Sequence, residues 1–334
     1  VDIDAFVAEH EPTWRRLQEL CRGGSDTLVG EDADEAVDLY RRTATHLSMV
    51  RASAYDPQLE ARLSTLVTNA RALVTGSSPA LLRNVAIFFA GTLPAALYRL
   101  RWAWISVGLV SLGIIWLLAY RVIHEPGLAD AVLSPKAQDA LVNHDFASYY
   151  SESPAQDFAF QVFLNNSLVS AMAILLGFLI VPVLIMVWQN MANIGLIAGY
   201  MLLHDRADVF FGLLLPHGLL ELTCIFVACA AGLRIGWAWI APGARTRARA
   251  LAEEGRIAAA IAIGLACWLA ISGALEGFIT PSTLPAWARV AIGTVMWLAF
   301  LAYTFILGAR AQRKGYTGDI AEGSQQAYAP EAAL

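Results

Sequence analysis

Charge is what this 334-residue sequence has least of. Asp, Glu, Lys and Arg make up 15% of it, against nearer one quarter in a water-soluble domain. Hydrophobic residues make up 57% and the mean hydropathy is +0.53, which argues against a soluble enzyme. Cysteine is scarce too: of Cys21, Cys224, Cys229 and Cys267, the last three lie in apolar runs. They read as small buried hydrophobes rather than a disulfide framework or a zinc site. No Lys/Arg-rich run appears, and a net charge of −5 is too small to suggest nucleic acid. Phosphate-binding loop, HExxH signature and Ser-His-acid constellation are all missing. The opening residues lack the basic-then-apolar pattern of a cleaved signal, so an internal span is expected to lead insertion.

The charges that exist are unevenly placed. Residues 1–101 hold 24 of the 51, and none occurs across the 42 residues from Val162 to Leu203. As a helix that stretch would be roughly 60 Å long, twice a hydrocarbon core of about 30 Å. The expected fold is therefore all-α: a polytopic helical membrane protein with about six transmembrane helices, one short or broken, and an N-terminal cytosolic helical bundle. The expected divisions are a cytosolic helical domain at 1–77, an interfacial elbow at 78–102, a transmembrane domain at 103–310 and a flexible cytosolic tail at 311–334.

Three amphipathic helices are legible in the first part. Pro12 suits the first turn of a helix through Trp14, Leu17 and Leu20. Val37, Tyr40, Ala44, Leu47 and Val50 form a second apolar face, and Leu59, Leu63, Leu66, Ala70 and Leu73 a third, opened by Asp56 and Pro57 and closed by Gly76. Ser78 and Pro79 then open a more apolar stretch read as lying along the membrane surface.

Charge-free runs mark the spans: Trp104 to Ile123, Val162 to Trp188, a short Met191 to Leu203, Phe210 to Leu233, Ile257 to Thr280, and Pro285 to Leu307. Asn190, Asn193, Gly195 and Gly199 read as turn formers near the short piece. Arginines before the first span, between the fourth and fifth, and after the last should be cytoplasmic. That puts both termini on the cytoplasmic side of the membrane.

An ionisable side chain deep in hydrocarbon costs about 2.5–3.5 kcal/mol on insertion scales, so each invites a functional reading. His217 and Glu221, four apart, share a helical face; Glu276 in the fifth span reaches the same outer-leaflet layer, as do Asn165 and Asn166. Pro216 and Gly218 bracket His217, and Pro216 is expected to break the helix and free a carbonyl near Gly212. Three uses of this polar pocket are open: a hydrogen-bond network fixing helix register, a divalent-metal site of His217, Glu221 and Glu276, or a path for protons, ions or a small solute. No cofactor beyond such a metal is implied. The Gly232/Gly236 pair would permit close helix contact, as in a homodimer.

Several strings resemble the SpoIIM (stage II sporulation protein M) family: Phe163-Leu-Asn-Asn-Ser167, the Asn190 to Gly195 stretch, Leu215-Pro-His-Gly-Leu-Leu-Glu221, Gly232/Gly236, and Leu275-Glu-Gly-Phe-Ile-Thr-Pro-Ser282. The resemblance implies an integral membrane protein without established enzymatic activity, which in spore-formers holds cell-wall hydrolases at a membrane. Longer members are similar to proteins encoded beside a MoxR-type AAA ATPase and a DUF58 protein. The function expected is a non-enzymatic scaffold in envelope remodelling or stress response. A transporter or channel using the pocket, and a metal-dependent membrane hydrolase, are the alternatives.

Overall fold

The computed structural model describes residues 3–23, 31–53, 57–74, 80–150 and 154–320. The chain divides into two compact units, 1–85 and 86–334. The caps expected at Asp56, Gly76 and Ser78 lie outside the described residues.

In the first unit α1 (Ile3–Gly23), α2 (Glu31–Ser53) and α3 (Pro57–Val74) pack around Trp14, Leu17, Leu47, Val50, Leu59, Leu63, Leu66 and Ala70. These recur at three- and four-residue spacing, so each helix turns one apolar stripe inward. α1 starts well before Pro12, which sits inside the helix instead of its first turn. Phe6 and Val7, both about two turns before Trp14, extend the stripe and pack on the core, and this burial offsets the amide lost at Pro12. Charged side chains pair around the outside, as in Arg62 with Glu11 at 2.7 Å and Arg16 with Glu35 at 2.7 Å.

One histidine here is poised by its neighbours. Trp14 Nε1 donates to His46 Nδ1 at 3.2 Å, and the His10 ring stacks on His46 with centroids 4.0 Å apart. An indole N–H only donates, so Nδ1 must be bare and the ring neutral. Burial holds His46 below its ordinary 6.5, with His10 and Arg42 adding to the effect and Glu9 opposing it. In the unfolded chain His46 takes its proton first. The stability tied to the neutral ring is thus complete above pH 6.5 and is lost as the pH falls below that value. Hydrogen-exchange protection of residues 3–74 in the full chain, corrected for intrinsic rates, should drop between pH 7.5 and 5. His46→Gln should flatten that drop; a drop of equal size in the variant would refute the assignment.

The second unit begins within α4 (Ala80–Ile87). It continues through a wide π-helical turn, Phe88–Thr92, into α5 (Leu93–Arg99). Six helices are long and apolar enough to cross a membrane, spanning Arg101–His124, Ala155–Leu179, Val181–Leu203, Ala207–Ile240, Arg247–Ile279 and Ala286–Arg313. They contain α6 (Arg101–His124), α10 (Ala155–Leu175), α11 (Val181–Leu203), α12 (Ala207–Ile240), α13 (Arg247–Ala274), and α14 (Ala286–Ala302) with α15 (Gly308–Arg313). Between α6 and α10 run the short α7 (Pro126–Val132), α8 (Pro135–Ala140) and α9 (Phe146–Ser148). α12 is the axle: it packs on α6, α10, α11, α13 and α14. Its apolar window is 67% buried, against 22% for the first span and 17% for the last.

Two sequence expectations give way here. The charge-free run does not break near Asn190 but at Leu176–Leu179, a tight 3₁₀ turn ending at Ile180 with φ 59°. Pro182 opens α11, at a position where its missing amide costs nothing. What holds the turn is contact with α12: a Cβ on Gly177 would lie 2.2 Å from Gly232 Cα, and one on Gly236 would lie 2.5 Å from the Gly177 carbonyl oxygen. The third span is therefore 23 residues, roughly 35 Å, with nothing short about it. Asn190 lies mid-helix and donates to the Met186 carbonyl at 2.8 Å. Gly195 and Gly199 admit α6, a Cβ at Gly199 meeting Val122 at 2.6 Å. Gly232 and Gly236 serve contacts inside one chain.

At the end of the bundle reached by α5, Glu254 is 2% exposed and faces Arg99 at 2.9 Å, Arg234 at 3.6 Å and Arg245 at 3.7 Å. Its neighbour Glu253 pairs with Arg99 and Arg245 at 3.1 and 2.8 Å. Leu93, Ala96 and Leu97 of the expected elbow are buried against α13 and α15. The expected tail is held over its first residues: Gly318 packs on Ala96, and Arg256 grips both Asp319 oxygens at 2.7 and 2.6 Å. Residues 321–334 lie outside the described residues.

Candidate functional site

The opposite end of the bundle gathers the polar side chains. α12 carries His217 and Glu221 one turn apart. It runs unbroken through Pro216 and Gly218, so the expected break is absent. Neighbouring helices make this tolerable in a membrane helix: α14 comes so close that a Cβ on Gly293 would sit 2.0 Å from the Pro216 carbonyl oxygen.

Glu276 is presented by a wide turn. Leu275–Ile279 is π-helical, with the Thr280 amide bonded to the Leu275 carbonyl at 2.9 Å, a distortion common at functional sites. Glycines bring this segment onto α10. A Cβ on Gly273 would lie 2.8 Å from the Ala159 carbonyl oxygen, and one on Gly277 would lie 2.6 Å from that of Ala155.

Around this junction the groups interlock. His217 Nδ1 is 3.2 Å from Thr280 Oγ1, and Nε2 is 3.9 Å from Glu276 Oε1, beyond hydrogen-bonding range. Ser272 Oγ lies 3.3 Å from the His217 carbonyl and 3.4 Å from Glu221 Oε2. Glu221 also shares one cavity wall with Asn166 and Glu276. Arg289 donates to the Thr280 carbonyl. The Tyr150 ring tilts over His217 with centroids 5.7 Å apart.

A cavity of about 490 Å³ opens beside this network, lined by Tyr149, Phe158, Gln161, Asn165, Asn166, Glu221 and Glu276, with Val162 between them. Residues 158, 161, 162, 165 and 166 form one stripe of α10. Gln161 and Asn165 are exposed at its rim, while Asn166 is buried. The carboxyls are felt at the mouth: burial raises the Tyr149 phenol above its ordinary value, and the charges of Glu276 and Glu221 raise it further. Tyr150 is raised by the same causes in the same order.

The structure thus unites His217, Glu221, Glu276 and Asn166, and leaves Asn165 at the rim. It does not make them a ligand set: among the described residues no group of three or more His, Cys, Asp or Glu could hold a metal ion. His217 is turned to Thr280 and Glu221 is engaged by Ser272 and Asn166. Sequence reasoning missed Ser272 and Thr280, although each lies four residues from Glu276. It also missed Tyr149, Tyr150 and Gln161; the two tyrosines arrive from a connection that no helical period links to the site.

Comparison with known families places these features. The family described as SpoIIM, Stage II sporulation protein M, matches residues 85–281, and a domain of unknown function, DUF8413, matches residues 4–76. No curated protein and no solved structure matches the chain.

Proposed function

Since the chain belongs to the SpoIIM (Stage II sporulation protein M) family, we propose that it is a non-enzymatic membrane scaffold. It acts in cell-envelope remodelling or stress response and recruits soluble partners through its N-terminal helices. The observation that carries this is the division into two compact units, 1–85 and 86–334, with opposite surfaces. The first is rimmed by charged pairs such as Arg62–Glu11 and Arg51–Glu60. The second turns Trp116, Leu168, Leu175, Trp287 and Val295 outward, as a lipid-facing bundle does. Such a body holds a position in the bilayer and leaves a separate helical module to bind. Arg99, Arg245 and Arg256, gathered near the start of α13, support placing that end in the cytoplasm of a bacterium, together with both termini.

A MoxR-type AAA ATPase, a DUF58 protein or a cell-wall hydrolase is the partner class this reading implies. Co-purification from native membranes should retain such a partner with the full chain and lose it when residues 1–77 are deleted. Equal retention by the truncated chain would reject the recruiting role.

A further inference from the structure

The cavity beside α10 is lined by acidic groups and by no basic one. Its lining contains two carboxyls, three amides, two aromatic rings and one valine, with no Lys, Arg or His. Among the described residues no Lys or Arg forms an ion pair with Glu221 or Glu276: His217 Nε2 stands 3.9 Å from Glu276 Oε1, Arg289 donates to the Thr280 carbonyl, and Arg99, Arg245 and Arg256 pair with Glu253, Glu254 and Asp319. The Glu276 side chain is 7% exposed and lines the cavity. Among the described residues its Oε1 stands 3.9 Å from His217 Nε2, beyond hydrogen-bonding range. It is a buried acceptor on the cavity wall.

Two neighbouring carboxyls on this wall place negative charge in the cavity whenever either is ionised. A buried charge without a counter-charge is costly, and a cation in the cavity would supply it. An anion meets only like charge here. A neutral ligand would leave the cost in place. A bare metal ion fits poorly, since about 490 Å³ is the size range of organic ligands. Tyr149 and Phe158 add ring faces of the kind that attract ammonium groups, and the amides of Gln161, Asn165 and Asn166 add acceptors for N–H donors.

We propose that this cavity binds an organic ammonium group, with the nitrogen against Glu276 and Glu221 and the carbon skeleton against Phe158 and Tyr149. A free amine and the headgroup of an amine-bearing lipid offer the same chemistry. The rim position of Gln161 and Asn165 on α10 gives access to both.

The test is calorimetric titration of the full chain in phosphatidylglycerol nanodiscs with benzylammonium chloride, empty discs being subtracted. Saturable binding is expected, at least tenfold tighter than that of benzyl alcohol, its neutral counterpart. Glu276→Gln should weaken it at least tenfold. Should that variant not fold by size-exclusion chromatography, the exposed-site change Asn165→Leu takes its place, with a loss of about threefold expected. Including phosphatidylethanolamine in the discs should compete with the probe if the lipid headgroup is the natural ligand, and leave it unaffected if a free amine is. Equal affinity for benzyl alcohol and benzylammonium, or benzylammonium binding unchanged in both variants, would overturn the proposal.

Discussion

Gly232→Val is expected to abolish the folded membrane unit. A Cβ at this position would stand 2.1 Å from the Ala173 carbonyl oxygen and 3.2 Å from Gly177 Cα. Both neighbours are backbone, and neither can swing away as a side chain would. Relief requires α10 and the tight turn after it to move off α12, the helix on which the other spans pack. Overpacking in a well-packed core costs about 1–3 kcal/mol. Here the clash is backbone against backbone at the central contact, so the cost should exceed about 4 kcal/mol, the range reserved for mechanisms of this kind. Fluorescence-detected size-exclusion chromatography of the tagged variant should show little or no monodisperse peak. Gly113→Val, where a Cβ meets nothing within 4 Å, is the control and should behave as wild type. A wild-type peak from Gly232→Val would mean that the two glycines do not make the contact described.

The second large effect lies at the other end of the bundle. Glu254→Ala removes the one carboxylate that Arg99, Arg234 and Arg245 all approach. The carboxylate is 1% exposed at its side chain, whereas Arg99 and Arg245 keep 25% and 28% exposure. Breaking a buried ion pair by deleting one partner costs about 3–5 kcal/mol, because charge is left uncompensated. Glu253→Ala removes a partner of two of the same arginines that is 27% exposed and should cost under about 1 kcal/mol. Thermal denaturation in detergent should separate the two by many degrees; equal melting temperatures would show that Glu254 has no special standing.

Much of this architecture could be read from residue spacing, for physical reasons. The cost of burying charge in lipid clears long runs of Asp, Glu, Lys and Arg, and the spans stand out as those runs. The faces of α2 and α3 stand out because a helix must bury one stripe. What escaped was anything decided by contact rather than composition. The turn at Leu176–Ile180 carries no charge because it packs on glycine, so a charge-based reading put the break at Asn190, which is helical. Gly177 and Pro182 were the available signals, and they were weak beside a pair of asparagines. The Gly232/Gly236 pair was legible as a close-contact motif, yet its partner was another helix of the same chain. In the polar site, His217, Glu221, Glu276 and Asn166 were legible because each is expensive where it stands. Pro216 misled: helix-breaking rules written for water fail where a neighbouring helix packs directly on the backbone and no solvent waits to take its freed groups.

The wide turn at Leu275–Ile279 has a genetic reading. A π-turn closes its ring with one residue more than an α-turn, so the helix carries a single surplus codon relative to an uninterrupted heir of α13. Losing that codon would let the turn close as an ordinary α-turn, keeping the rod and its apolar surface while removing the widening that presents Glu276. A frame-preserving loss of three nucleotides within codons 275–279 should thus undo the polar junction and leave the span that supports it in place.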